Sequence, residues 1–304
     1  MLQATVIVCP VCGHAGELGN GPGGRPRAAC KRCHSLERHR ALMGILPGLR
    51  YAAAAGVLAD IAPSKLTAVR LKELAADVGV PYVGLDFDPG ADNRVVTVQA
   101  SLTDVPLADA SVGIMVCLHV LEHIPDDAAA MRGIFRVLAP GGMAVVQVPY
   151  RAGVPTDEDP DAPVEERVRR FGQEDHVRYY GFDFEDRLAA AGLTVLQIRM
   201  SDLYRPVETD ALGLMVDEAL WLCTTGAKVD VEDLARQCSD SARTSVALGL
   251  EKLVLDRKIL RSKLKQARRE RDRAVSNEAA LRARFDVRVV SGLARRTRKI
   301  RDKA

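Results

Sequence analysis

Between about residues 55 and 150 the chain alternates short apolar runs with stretches of helical periodicity, and this rhythm restricts the fold more than any other feature. The apolar runs are VLADI (57–61), YVGLD (82–86), RVVTV (94–98), VGIMVC (112–117) and MAVVQVP (143–149). KLTAVRLKELAADVG and DDAAAMRGIFRVL fit helices between them, and APGG (139–142) brings Pro and Gly where the second helix should stop. Strands separated by helices predict βαβ units in a parallel sheet, hence an α/β fold. FEDRLAAAGLTVLQIRM adds a helix and a strand, and EALWLCTT a last strand near 218–225, for seven strands in all. The acidic, proline-rich GVPTDEDPDAPVEE within 151–180 breaks the rhythm and reads as a loop or lid.

A second pattern precedes this domain. CPVC and CKRC place Cys9, Cys12, Cys30 and Cys33 in a C-x2-C-x17-C-x2-C arrangement around the loop GNGPGGRPR. Each pair can present two thiolates from one tight turn, and two such turns complete a tetrahedral Zn2+ site. His14 and His34 lie beside the pairs as alternative ligands. A four-cysteine site leaves no open coordination position, so the metal's role is structural: it folds a zinc-ribbon-like segment too small to hold itself together. Arg25, Arg27, Lys31, Arg32, Arg38 and Arg40 surround the cysteines, either as phosphate contacts or as a solvated basic surface.

The hydrophobic share of 47% supports a real core, and the 4% of aromatic residues makes that core mainly aliphatic. No apolar run reaches the length of a membrane span. The start MLQATVIVCPVC lacks the basic and long apolar regions of a signal peptide, so a cytoplasmic protein is expected. The net charge of +3 hides an asymmetry: from Lys252 onward nineteen Lys and Arg face six Asp and Glu, a tail near +13 on a body near −10. In that tail Leu250, Leu253, Leu260, Leu264, Ala267, Ala274, Leu281 and Phe285 follow a heptad-like seam that Arg257, Arg271 and Glu278 interrupt. A weak coiled coil forming a homo-oligomer through residues 229–304, or a helix docked on a partner, both satisfy it. Three parts are expected: a zinc-binding segment (1–48), an α/β domain (49–228) and a basic helical tail (229–304).

The stretch SLTDVPLADASVGIMVCLHVLEHIPDDAAAMRGIFRVLAPGGMAVVQVP (101–149) resembles the central part of class I S-adenosylmethionine-dependent methyltransferases of the type 11 branch. LHVLEHIPDD and RVLAPGG carry the resemblance by order and spacing, and FGQEDHVRYYGFDFEDRLAAAGL (171–193) extends it, so that it covers about residues 55–225. A subset of the family also carries a cysteine-paired segment running into S-L-E-R-H-R, matched here by Ser35 to Arg40. The resemblance implies a Rossmann-like seven-stranded sheet whose last strand is antiparallel, with S-adenosylmethionine over the C-terminal ends of the first strands. It further implies that Asp60 and the turn Ile61–Ala62–Pro63 line the methionine part and that Asp86 accepts from the ribose hydroxyls. Phe87 would pack on the adenine, Ser101 and Leu102 contact its edge, and Leu118 and His119 flank the sulfonium and the acceptor. Two departures stand out. Ala62, Ser64 and Leu66 occupy the glycine positions of the family's D-x-G-x-G-x-G loop, and Ser101 replaces an Asp. S-adenosylmethionine has no phosphate, so the close backbone approach that such glycines give a pyrophosphate is not required; Pro63 suits a first helical position.

Methyl transfer needs an acceptor atom held in line and, for a hydroxyl acceptor, a general base. His119 and His176 are the catalytic candidates, with His123 a candidate brace for its helix. In an extended segment Asp175 and His176 face opposite ways. Three functions fit the sequence. The first is a methyltransferase acting on a small molecule or glycan. The second is an RNA methyltransferase gripping phosphates with the zinc segment and tail, although the segment has no aromatic residue for base stacking. The third is a methyltransferase fold used as a non-catalytic scaffold.

Overall fold

The computed structural model describes residues 7–49, 56–88, 90, 95–226, 229–230, 232–234, 236–238 and 240, with five isolated positions between 258 and 269. The heptad-like seam and most of the basic tail lie outside the described residues. No helix among the described residues is long and apolar enough to cross a membrane.

Seven strands form one sheet: β1 (Val57–Ile61), β2 (Tyr82–Asp86), β3 (Val98–Gln99), β4 (Val112–Leu118), β5 (Leu138–Gln147), β6 (Thr194–Arg199) and β7 (Ala219–Thr224). Their order is β3-β2-β1-β4-β5-β7-β6. All neighbours are parallel except β7, which runs antiparallel to β5 and β6. The chain reverses direction across the sheet between β1 and β4, which opens a crevice at their C-terminal ends.

Side chains alternate between the sheet's two faces, and each face has its own core. Leu58, Ile114, Val116 and Val145 pack with α1 (Glu37–Leu49) and α2 (Lys65–Val78). Ala59, Met115, Cys117 and Val146 pack with α3 (Asp127–Val137). The second face also buries Phe184 and Leu188 on a helix spanning Phe184–Ala190. Ser64 caps α2 by accepting from Thr67 N (3.3 Å), and Gly79 closes it at φ 75°, a left-handed position that suits glycine. Asp126 caps α3 through Ala129 N at 2.8 Å. Arg40, 1% exposed, donates to the carbonyls of Ala28, Ser35 and Gly213 and so ties the cysteine segment to the main body.

The cysteine segment is two small ladders, Ile7–Val8 with Ala15–Gly16 and Leu18–Gly19 with Ala29–Cys30. Ile7, Cys9, Val11 and Cys30 join the same buried cluster as α1, α2 and the sheet. At the other end, Gly48 of α1 leaves the space that Leu234 fills; a Cβ there would lie 2.1 Å from Leu234 Cδ1.

Three elements differ from the sequence expectation. Leu138 already pairs with Val112 and Met143 with Ile114, so APGG (139–142) is an outward bulge in the start of β5, not a stop before it. The third strand is the two-residue Val98–Gln99 rather than 94–98. The acidic stretch is no free loop: Asp157–Glu158 pairs with Arg178–Tyr179, and Val164–Phe171 forms a helix. Arg170 binds Asp157 and Asp159, while Arg178 and Arg187 bind Glu158, so the acidic residues are held by cations from the same chain.

Candidate active site

The crevice contains a cavity of about 620 Å³ at the ends of β1, β2, β3 and β4. Ile61 and Ala62 after β1, Asp86 and Phe87 at the end of β2, Ser101 and Leu102 after β3, and His119 after β4 line it. Ala62 has φ 54°, the left-handed region that costs a non-glycine residue energy. It therefore takes up a glycine-like backbone conformation without being glycine, and its N–H donates to Leu85 O at 2.8 Å. His119 is the second such residue here, with φ 53° and its N–H bonded to Gln147 O at 2.8 Å. Phe87 is 76% exposed, an unusual state for a phenyl ring, and it borders the cavity. Asp86 Oδ1 accepts from Asp88 N at 3.1 Å. Ser101 Oγ is engaged in a tight turn with Thr103.

A second cavity of about 590 Å³ shares Ile61, Ala62 and His119 with the first. Asp60, Ser64, Thr67 and Leu118 line it together with Cys33 and His34 of the cysteine segment and Arg38 and His39 of α1. Asp60 is 3% exposed and accepts from the Tyr82 hydroxyl at 2.9 Å. Its negative charge and burial push the Tyr82 phenol well above its ordinary value, desolvation being the larger cause. Pro63 lies behind, its Cγ filling the space beside Gly84.

Behind His119 stands Glu122, with no solvent exposure. His119 Nδ1 lies 3.2 Å from Glu122 Oε1, and His176 Nε2 approaches the same oxygen to 4.0 Å. His176 is 3% exposed, lines neither cavity and has Nδ1 3.1 Å from Phe171 O. Burial pulls its pKa down, against the raising influence of Glu122. Its place differs from the expectation of a base in contact with substrate: it lies buried behind Glu122, beyond hydrogen-bond distance of it. Asp175 turns the other way, to His123 Nδ1 at 3.1 Å, and both of these line the larger cavity. The turn carrying Glu122 is clamped by Arg178, 1% exposed, which donates to the carbonyls of Leu121, Ile124 and Pro125.

The four cysteines converge. Cys9 Sγ lies 3.8 Å from Cys33 Sγ and Cys12 Sγ 3.8 Å from Cys30 Sγ, with all four within 4.8 Å of one another. A tetrahedron with metal–sulfur bonds of about 2.3 Å has an edge of about 3.8 Å, so this donor set fits zinc. Ser35 Oγ accepts from Cys33 Sγ at 3.2 Å and lies 3.3 Å from Cys9 Sγ. Neither His14 nor His34 belongs to the cluster. The surrounding basic residues do not form one patch. Arg25 pairs with Glu37 and Lys31 with Glu17, Arg40 is buried, and Arg38 faces a cavity.

A family described as "Methyltransferase domain" matches residues 57–146, the segment that builds β1 to β5 and both cavity floors. This segment carries a methyltransferase domain. A probable S-adenosylmethionine-dependent methyltransferase of Mycolicibacterium smegmatis is 34% identical over 139 residues, 42% of this chain and 54% of that protein. A relative of the same description in Mycobacterium tuberculosis H37Rv is 36% identical over 86 residues, 26% of this chain and 31% of its own. The matches thus span about half of the first relative and a third of the second. A solved S-adenosylmethionine-dependent methyltransferase from Mesorhizobium loti covers 59% of this chain and 96% of its own at 15% identity and a TM-score of 0.40.

In this methyltransferase domain the sequence-predicted residues Asp60, Ile61, Ala62, Asp86, Phe87, Ser101, Leu102, Leu118 and His119 all reach one of the two joined cavities. Pro63 and His176 do not. Sequence reasoning missed Glu122, which the spacing H-x-x-E from His119 signals, and it missed the cavity-facing role of Arg38, for which no sequence signal exists beyond the S-L-E-R-H-R wording.

Proposed function

We propose that the protein transfers a methyl group from S-adenosylmethionine to a small-molecule or glycan acceptor. The cofactor supplies an activated methyl on a sulfonium, which leaves positioning and proton handling to the protein. The convergence of residues from four strand ends on one cavity supports this reading above all. Asp86 would accept from the ribose hydroxyls, Phe87 would pack on the adenine with Ser101 and Leu102 at its edge, and the Asp60–Ala62 turn with Leu118 would line the methionine part. His119, bordering both cavities, is the group suited to take a hydroxyl proton. Its Nδ1 stands 3.2 Å from the buried Glu122 carboxylate, whose oxygens accept no hydrogen bond, so Glu122 acts on the ring through its charge, favouring the proton on the nearer nitrogen and leaving Nε2 as the acceptor.

The Ala62 backbone argues against the scaffold reading, because a non-glycine residue is held in a strained conformation at the position where the cofactor loop needs it. Of the basic residues around the cysteines Arg40 is buried, Arg25 and Lys31 are paired and Arg38 lines a cavity, which leaves exposed Arg27 and Arg32 as a weaker support for RNA binding there. We also assign Zn2+ to the four cysteines as a structural ion, with no role in the transfer. Calorimetric titration with S-adenosylhomocysteine tests the function: micromolar binding that Asp86→Ala abolishes is the expected result, and no binding at millimolar concentration sinks it.

A further inference from the structure

The tetrapeptide Glu37–Arg40 carries two arginines with opposite fates. Arg40 is consumed by three carbonyls. Glu37 pairs with Arg25, and His39 Nδ1 accepts from Leu36 N at 3.0 Å. Arg38 makes no hydrogen bond or ion pair among the described residues, yet it is only partly exposed and lines the smaller cavity. Burial lowers its pKa, which the more distant Glu122, Glu37 and Glu218 offset only in part. A guanidinium held in that position without a bidentate partner is an anion site waiting for its anion.

The rest of that cavity says which anion. The Asp60–Ala62 turn and the first turn of α2 also line it, where the fourteen-residue helix presents its positive end and Lys65 adds a cation. Asp60, a buried carboxylate, lines the same cavity as Arg38. One carboxylate, one guanidinium and a helix N-terminus complement a zwitterion, such as the amino-acid end of S-adenosylmethionine. On the reading above, this cavity is where that end lies, because it adjoins the adenosine cavity at Ile61, Ala62 and His119, which line both.

We propose that Arg38 binds the α-carboxylate of the cofactor's methionine part, so that the cysteine segment is one wall of the cofactor site. The proposal rests on the methyltransferase reading. It makes cofactor affinity depend on the cysteine cluster, because Cys33 and Ser35 lead directly into Arg38 and Cys33 lines the same cavity.

The test compares two ligands by calorimetry on the full-length, zinc-loaded protein: S-adenosylhomocysteine, and 5′-methylthioadenosine, which keeps the adenosine and thioether but has no carboxylate. Wild type is expected to bind S-adenosylhomocysteine at least about tenfold more tightly. Arg38→Met should weaken S-adenosylhomocysteine by about 10- to 100-fold while changing 5′-methylthioadenosine less than about threefold, and Arg38→Lys should restore part of the loss. Equal binding of the two ligands by wild type overturns the proposal without touching the methyltransferase reading, and needs no variant that folds. So does an Arg38→Met protein that keeps full S-adenosylhomocysteine affinity, the outcome expected if the anion belongs to the acceptor. So does an equal loss for both ligands. Failure of wild type to bind either ligand overturns the methyltransferase reading itself and this proposal with it.

Discussion

His119 Nδ1 lies 3.2 Å from Oε1 of Glu122, a carboxylate with no access to solvent. The two are not aligned as a hydrogen bond, so the carboxylate acts on the ring through its charge, which favours the proton on the nearer nitrogen. Nitrogen-resolved NMR of the histidine rings above neutral pH should therefore find His119 protonated at Nδ1. Glu122→Gln should move the population toward Nε2–H while S-adenosylhomocysteine affinity stays within about threefold, since Glu122 touches neither cavity. A wild-type ring already protonated at Nε2 contradicts the dyad.

Ala62 at φ 54° stores strain that glycine would not. Ala62→Gly should therefore stabilise the fold by roughly 1 kcal/mol, visible as a rise of a few degrees in Tm, without loss of S-adenosylhomocysteine binding. Ala62→Val should lower Tm and weaken binding, because a β-branched residue resists this conformation and fills the junction of the two cavities. A lower Tm for the glycine variant would count against strain at this turn.

Much of this site was legible before the fold was known. Strand ends at Asp60 and Asp86 follow from apolar runs bounded by an acid, and the cysteine spacing announces its own cluster. What the sequence hid is tertiary. Glu122 and His176 are 54 positions apart in the chain and meet only because Arg178 folds one turn onto the other. Arg38 and Arg40 look alike in the sequence, and only helix phase decides that one meets carbonyls and the other a cavity. The acidic stretch read as a lid because its partners Arg170, Arg178 and Arg187 lie downstream, and ion pairs leave no periodicity to read.

The cysteine cluster shares a core with the sheet, so its metal should stabilise more than its own segment. Elemental analysis should find about one zinc per chain. Chelation, or Cys12→Ser, should lower the Tm of the whole cooperative transition by roughly 10 °C or more, not melt a separate segment. Cys117→Ser, a change at a buried thiol outside the cluster, should leave zinc content unchanged. An independent early transition on chelation would show that the segment folds apart from the domain.

Arg178 donates to three carbonyls and sits 3.1 Å from Glu158, with almost no exposure. Arg178→Met removes every one of these bonds and leaves buried acceptors unsatisfied, a loss of about 3–5 kcal/mol in urea unfolding. Arg169→Met is the control: its ion pair with Glu166 is largely exposed and should matter by less than about 1 kcal/mol. Comparable losses for the two variants would remove Arg178 as the clamp of the Glu122 turn.

His39 gives the pH dependence its sign. Burial first, then the nearby Arg38, His119 and Arg40 charges, pulls its pKa from 6.5 down to about 3. Between those values the unfolded chain binds more protons than the folded one, so the contribution is fully present above about pH 6.5 and is lost as pH falls toward 3. His176, also lowered by burial, acts in the same direction, while buried Glu218, whose pKa is raised, acts in the opposite one. His39→Asn keeps an acceptor for Leu36 N and removes the titration. Urea midpoints should show wild type losing about 2 kcal/mol more than His39→Asn between neutral pH and about pH 4.5. Metal release in acid affects both proteins and cancels in the difference. Parallel stability curves for the two would mean that His39 is protonated as readily in the fold as outside it.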